Sequence, residues 1–314
     1  MNDERVSDRT GLAGGQHSPG PSGRGKGTWL HGFGLQPADL AGSIIAVAAY
    51  KGGVGKTLLA YELAYLLGGI LVDLDWDRGN ASVSWGYRDE QRSKSPLLDA
   101  LDRGRTPRPL AGGRWRPDLV PCSKRFGTDQ PCAEDLTTAL QSWAAQWAAE
   151  LRCPLIIDTH PGTQSSTFGA VAAAHVVVVP VVLGEREMSA TEDMVDELKG
   201  HPLLLVPNKV TMNPPTRYTA WLEHVADRAM VPIGPAISDN AWLTTRRRRM
   251  AVTAGDSTPV RARTVVYELH RVARTVVNHA RVALSGRTDW ELSQELHHLR
   301  TPRVPPPARA SPPR

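Results

Sequence analysis

The heptapeptide KGGVGKT at Lys51–Thr57 constrains this chain most, because of where it lies. A short apolar run, Ser43–Tyr50 (SIIAVAAY), precedes it, and a segment with helical spacing, Lys56–Leu67, follows. The general phosphate-loop pattern G-x-x-x-x-G-K-[ST] would put a glycine at Ala49 or Tyr50; this loop instead reads K-G-G-x-G-K-T. The chemistry is the same. Glycines without Cβ atoms let the backbone N–H groups of Gly52, Gly53, Val54 and Gly55 converge on phosphate oxygens. The following helix N-terminus adds partial positive charge. Lys56 is placed to reach the β- and γ-phosphates, and the Thr57 hydroxyl to ligate Mg²⁺. A Gly-rich turn alone is weak evidence; one ending in Lys-Thr between an apolar strand and a helix marks a nucleotide site.

The rest of the chain repeats that alternation. Gly69–Asp75, Pro154–Asp158, His175–Val182 and Pro202–Val206 are further apolar runs. Ala170–Leu183 is the longest apolar stretch; it carries His175 and Pro180, is too short to span a bilayer, and reads as a buried strand. Ala133–Glu150 has helical spacing, with Leu136, Leu140, Trp143 and Trp147 on one face. Strands apolar on both faces and separated by helices predict an α/β fold: a P-loop NTPase with a mostly parallel sheet and helices on both faces. Residues 1–41 are Gly- and Ser-rich without apolar periodicity and read as a disordered arm. The domain is expected over 42–285, and 286–314 as a Pro- and Arg-rich tail.

Composition removes several function classes. Cys122, Cys132 and Cys153 contain no CxxC pair, so neither a disulfide framework nor a zinc or iron–sulfur site is expected. The opening residues are polar and lack the apolar core of a signal peptide, which leads to an expectation of a cytoplasmic protein. The net charge of +5 is unevenly spread: from Thr244 onward there are 14 Arg against two Asp and three Glu, a net +9, leaving −4 for the rest. Such a basic end suits a polyanionic partner. Its features are the run Arg246, Arg247, Arg248 and Arg249, and a helical segment, Ala262–Leu284. In that segment Val265, Val266, Leu269, Val272, Val276, Val277 and Ala280 form one face, and Arg271, Arg274 and Arg281 fall on the other. This reads as non-specific DNA contact, as a solvated face, or as a membrane-surface helix; the missing Trp and Phe anchors disfavour the membrane.

The loop KGGxGKT resembles the signature of the deviant Walker A ATPases, the ParA and MinD relatives, and most closely ParA partition ATPases. The resemblance runs from about Ile44 to Leu284. It implies ATP and Mg²⁺ as cofactors, with Lys51 crossing a dimer interface to the partner's phosphates, so that ATP makes a homodimer. LVDLD at Leu71–Asp75 is similar to the family's DxDPQGNAT segment. It implies Asp75 as the carboxylate that orients the attacking water, and Asp73 as a Mg²⁺-site or structural residue. Trp76 stands where Pro is usual, with one extra residue before Gly79-Asn80-Ala81-Ser82. LIIDTHPG at Leu155–Gly162 resembles the Walker B segment and implies that Asp158 holds Mg²⁺ through water. His160 replaces another Pro and reads as a hydrogen-bonded structural residue, and Leu58 replaces a usual hydroxyl. Asn208 matches the Asn that contacts adenine in relatives. The expected function is slow, partner-stimulated ATP hydrolysis that drives DNA partitioning at the nucleoid, with non-specific DNA and a ParB-like protein as partners. The alternative is a MinD-like membrane-associated or cargo-positioning switch.

Overall fold

The computed structural model describes residues 25–88, 96–243, 249–255 and 259–286. Among them, six strands form one sheet: β1 (Ile44–Val47), β2 (Ile70–Asp73), β3 (Asp118–Val120), β4 (Leu155–Asp158), β5 (Val176–Val181) and β6 (Leu203–Pro207). Their order is β3-β2-β4-β1-β5-β6 and every pairing is parallel. The helices are α1 (Lys56–Leu67), α2 (Ala81–Trp85), α3 (Pro96–Asp102), α4 (Phe126–Asp129), α5 (Ala133–Glu150), α6 (Ser165–Ala173), α7 (Glu185–Glu197), α8 (Thr216–Ala229) and α9 (Arg263–Leu284).

Strand alternation divides the interior into two cores. In β1, Ile44 and Ala46 face a core with α3 to α8, while Ile45 and Val47 face one with α1 and α9. A strand covered on both sides has no polar face, which is why these runs are continuously apolar. The α5 boundaries fall where the spacing predicted them, and its four named core residues are all buried. The apolar face predicted for α9 is buried throughout. Helix α1 is covered nearly all round, and its Glu62 is only 1% exposed. That charge is satisfied by the Val252 and Thr253 N–H groups and the Thr253 hydroxyl, which pin the segment before α9 onto α1.

Two expectations change. Residues 25–41, assigned by composition to the arm, carry 3-10 turns at Thr28–Phe33 and Pro37–Leu40, and bury Leu30 and Leu40 completely. Leu30 and Leu40 join the α1–α9 core, so two apolar residues outweigh the surrounding polar composition. The apolar run from Ala170 is not one strand: Ala170–Ala173 end α6, and β5 starts at Val176. Apolar continuity cannot distinguish a buried helix end from a buried strand. Among the described residues, no helix is long and apolar enough to cross a membrane.

Candidate nucleotide site

The strand register gathers the site at the C-terminal ends of β1, β2 and β4. Asp158 lies opposite Val47 on one side and Asp73 on the other. The chain leaving β1 becomes the phosphate loop beside both carboxylates. Ligands of open α/β sheets bind at this edge.

Within the loop, Gly53 (φ 77°) and Gly55 (φ 101°) adopt left-handed conformations that a side chain would strain. Gly55 has a second constraint: a Cβ there would stand 2.2 Å from Asn208 Nδ2. Asn208 is 3% exposed, and its amide donates to the Val54 carbonyl at 2.7 Å. Lys209 donates from Nζ to the Gly53 carbonyl at 2.7 Å. The two residues after β6 thus hold two successive loop carbonyls away from the centre. Asn208, expected at adenine, braces the loop backbone. The Lys209 role is not legible in the sequence, because it depends on where β6 ends in the sheet.

Lys56 is buried among carboxylates. Burial pushes its pKa down, while Asp158 and Asp75 oppose that shift. Asp158 is fully buried, and neither oxygen has a hydrogen-bond partner. Burial and then the neighbouring Asp73 drive its pKa well above the ordinary carboxylate range; Lys56 and the nearby Thr57 hydroxyl only partly restore the charge. A buried carboxylate without a partner is costly, and a cation removes that cost. The residues therefore fit Mg²⁺, with Thr57 and Asp158 as the candidate donors.

Asp73 differs. One oxygen accepts from the Ser82 N–H and hydroxyl, and the other from the Asp75 N–H at 3.0 Å. Its pKa is nevertheless raised to about 7, chiefly by burial. Of the two roles expected for Asp73, this geometry fits the structural one: it staples the β2 loop to α2. Asp75 stands at the mouth, 9% exposed, and accepts from the Asp77 N–H at 3.0 Å. Its backbone carbonyl accepts from Asn80, which also caps α2 by accepting from Val83. Burial raises the Asp75 pKa; the Asp77 N–H bond, His160 and Lys56 lower it.

His160 belongs to this neighbourhood. Its Nε2 lies 3.2 Å from Asp77 Oδ2, and its ring stacks on Trp76 with centroids 3.8 Å apart. The ligand atoms of Asp75, Asp77 and His160 fall within 4.8 Å of one another. The sequence signal for this was the pair of departures at Trp76 and His160, but nothing in one dimension says that they meet. Lys51 is exposed at the loop's start, beside Tyr50, whose hydroxyl donates to Glu197 at 2.7 Å.

The basic end is a separate region. Arg271, Arg274 and Arg281 are exposed on α9. Arg274 also sits 5.2 Å from the Phe33 ring centroid, on the N-terminal 3-10 turn. Arg249 packs against α2's end: a Cβ on Gly86 would lie 3.1 Å from its Cδ. Arg246, Arg247 and Arg248 lie outside the described residues.

No protein-family model matches the chain. Two curated relatives do. The chromosome partitioning protein ParA of Myxococcus xanthus is 29% identical over 195 residues, which are 55% of this chain and 65% of the relative. The chromosome-partitioning ATPase Soj of Thermus thermophilus is 34% identical over 145 residues, 44% of this chain and 53% of the relative. The matched part thus spans less than two thirds of each. In fold, the chain is similar to a variant of McdA from Cyanothece in complex with ATP (TM-score 0.59, 15% identity, 78% of this chain and 97% of the other). It is similar also to MinD of Aquifex aeolicus (TM-score 0.55, 18% identity, 75% and 97%). With its phosphate loop and parallel sheet order, the chain has the fold of the MinD and McdA ATPases and is similar in sequence to the ParA and Soj partitioning ATPases.

Proposed function

We propose that this chain hydrolyses ATP slowly with Mg²⁺, dimerises when ATP is bound, and in that state holds DNA without regard to sequence. The observation that carries the reading is Asp158: a fully buried carboxylate with two unpartnered oxygens, beside Lys56 and next to a glycine-lined phosphate loop.

The residues divide the work. Backbone N–H groups of Gly52 to Gly55 and the start of α1 hold the phosphates, and Lys56 offsets their charge. Thr57 and Asp158 would hold Mg²⁺, which would supply positive charge against the phosphates. Asp75 orients the attacking water. Its carboxylate is placed by Asp77 and its backbone by Asn80, so little rearrangement is needed at the moment of reaction. Lys51, exposed at the loop's entrance, reaches a second copy's phosphates. Asn208 fixes the loop beneath the nucleotide, and any adenine contact uses what its amide has left after Val54.

Arg271, Arg274 and Arg281, with the run at Arg246–Arg249, neutralise duplex phosphates, which gives sequence-independent and salt-sensitive affinity. A ParB-like partner that stimulates hydrolysis completes the cycle and would release the DNA at the nucleoid. The relatives support partitioning through their names, chromosome partitioning ParA and Soj. The alternative of a MinD-like membrane-associated or cargo-positioning switch uses the same engine. It is favoured only by the fold likeness to MinD and McdA.

The test measures phosphate release and random-sequence duplex binding with ATP·Mg²⁺ and with ADP, across a salt titration. Asp75→Ala should abolish turnover yet retain ATP-dependent dimerisation. Absence of Mg²⁺-dependent hydrolysis in the unaltered protein would sink the enzymatic reading. Equal DNA binding with ATP and ADP, or none, would move the cargo switch to the front.

A further inference from the structure

Two positions at which the carboxylate loops depart from the family's pattern, Trp76 and His160, are in contact. Trp76 follows Asp75 after β2, and His160 stands two residues beyond Asp158 after β4. Their rings lie 3.8 Å apart and only 3° from parallel. Trp76 also packs on α4: the Phe126 ring centroid is 6.1 Å away, and a Cβ on Gly127 would come within 2.8 Å of Trp76 Nε1. The stack is fastened at both ends. Asp77 lies 3.2 Å from His160 Nε2, the Thr167 hydroxyl donates to the His160 carbonyl at 3.1 Å, and the Gly162 N–H reaches back to Ala49 before the phosphate loop.

A proline stiffens a loop from within by fixing its own φ. With Trp and His in place of both prolines, each loop loses that local restraint. A flat ring pair between the loops supplies another one, by joining them to each other. Asp75 is the residue most exposed to this exchange, because it immediately precedes Trp76 and its carboxylate accepts from the Asp77 N–H just beyond it.

We propose that the Trp76–His160 stack is a positioning pair, which ties the loop after β2 to the loop after β4 and sets where Asp75 stands over the phosphate loop. Both residues are assigned a positioning role, acting through Asp75. The proposal rests on the hydrolysis reading for its kinetic consequence, though not for the latch itself.

A double-mutant cycle on the full chain tests it, with ATP turnover, fluorescent ATP-analogue affinity and near-UV circular dichroism measured for each variant. Trp76→Ala and His160→Ala should each lower kcat about tenfold, since small misplacement of a positioning group is costly. Nucleotide affinity should stay within about twofold, because the phosphate loop is braced separately. The double variant should be no slower than the slower single one, since both remove one contact. Trp76→Phe and His160→Phe, which keep a flat ring pair, should retain turnover within about threefold. Independent effects that multiply to about a hundredfold, or nucleotide affinity falling in step with kcat, would overturn the proposal. If the unaltered protein does not hydrolyse ATP, the functional reading fails, and the dichroism decides the latch alone. His160→Ala should then change the aromatic band when Trp76 is present and leave it unchanged in the Trp76→Ala background; the same change in both backgrounds would reject it.

Discussion

The nucleotide site and the outer face of α9 both depend on basic side chains, and they use them in opposite ways. Lys56 is 6% exposed, lies near Asp75 and Asp158, and its charge depends on those neighbours. Arg271 and Arg281 project into solvent from a helix whose other side is core. In the first region geometry is overdetermined, so the shape of each group matters as well as its charge. In the second, screening by water and salt leaves little beyond the count of charges.

Exchanging like charges gives the largest contrast. Lys56→Arg should cost turnover a factor of about 10³ or more, because a guanidinium cannot occupy the ammonium's place between buried carboxylates. Phosphate release under saturating ATP·Mg²⁺ would show it; a loss below tenfold would break the distinction.

Asp158→Asn has two opposite effects. It removes a candidate Mg²⁺ donor, and turnover should fall about a hundredfold. In the nucleotide-free protein it also removes a buried carboxyl whose ionised form is opposed by burial and by Asp73, so the melting temperature should rise by the equivalent of about 1–3 kcal/mol. Denaturation with and without Mg²⁺·nucleotide separates the two. A destabilised nucleotide-free variant would mean that Asp158 is already satisfied.

The same carboxylates set a pH dependence. Asp73 has a pKa near 7 in the fold, above its unfolded value, and Asp158 is raised as well. Between the unfolded pKa and about pH 7 the native state holds more protons, so stability should fall as pH rises across that window. Thermal denaturation in the absence of nucleotide reads the sign directly.

On α9, Arg271→Ala, Arg274→Ala and Arg281→Ala combined should reduce the slope of log affinity against log salt by about 3, with stability changed by less than about 1 kcal/mol. Filter binding or fluorescence anisotropy with random duplex measures it. The smallest effect is expected for Arg274→Lys, within about twofold in DNA affinity, since phosphate neutralisation counts charge. A large loss there would mean that its packing on Phe33 shapes the surface.

These contrasts track what could be read from residue order. The phosphate loop was legible because its residues are consecutive and its chemistry is local. The same holds for α5 and α9, whose apolar spacing repeats over several turns. The site's braces were not legible. Lys209 reaches the loop from more than 150 residues away, and its lysine looks like any other after a strand. Trp76 and His160 were visible only as departures, 84 positions apart. The N-terminal segment is illegible for the reverse reason: Leu30 and Leu40 are isolated in polar sequence, and only docking on α1 and α9 gives them a core.

By itself the sequence determined the kind of sheet, the phosphate loop and the polarity of α9, since each follows from short-range pattern and side-chain chemistry. The tertiary structure alone decided which carboxylate is left without a partner, which lysine braces the loop and which rings meet across the site. The physical reason is that burial and hydrogen-bond satisfaction are properties of a residue's neighbours in space. The strand order β2-β4-β1 brings those neighbours together from three distant parts of the chain.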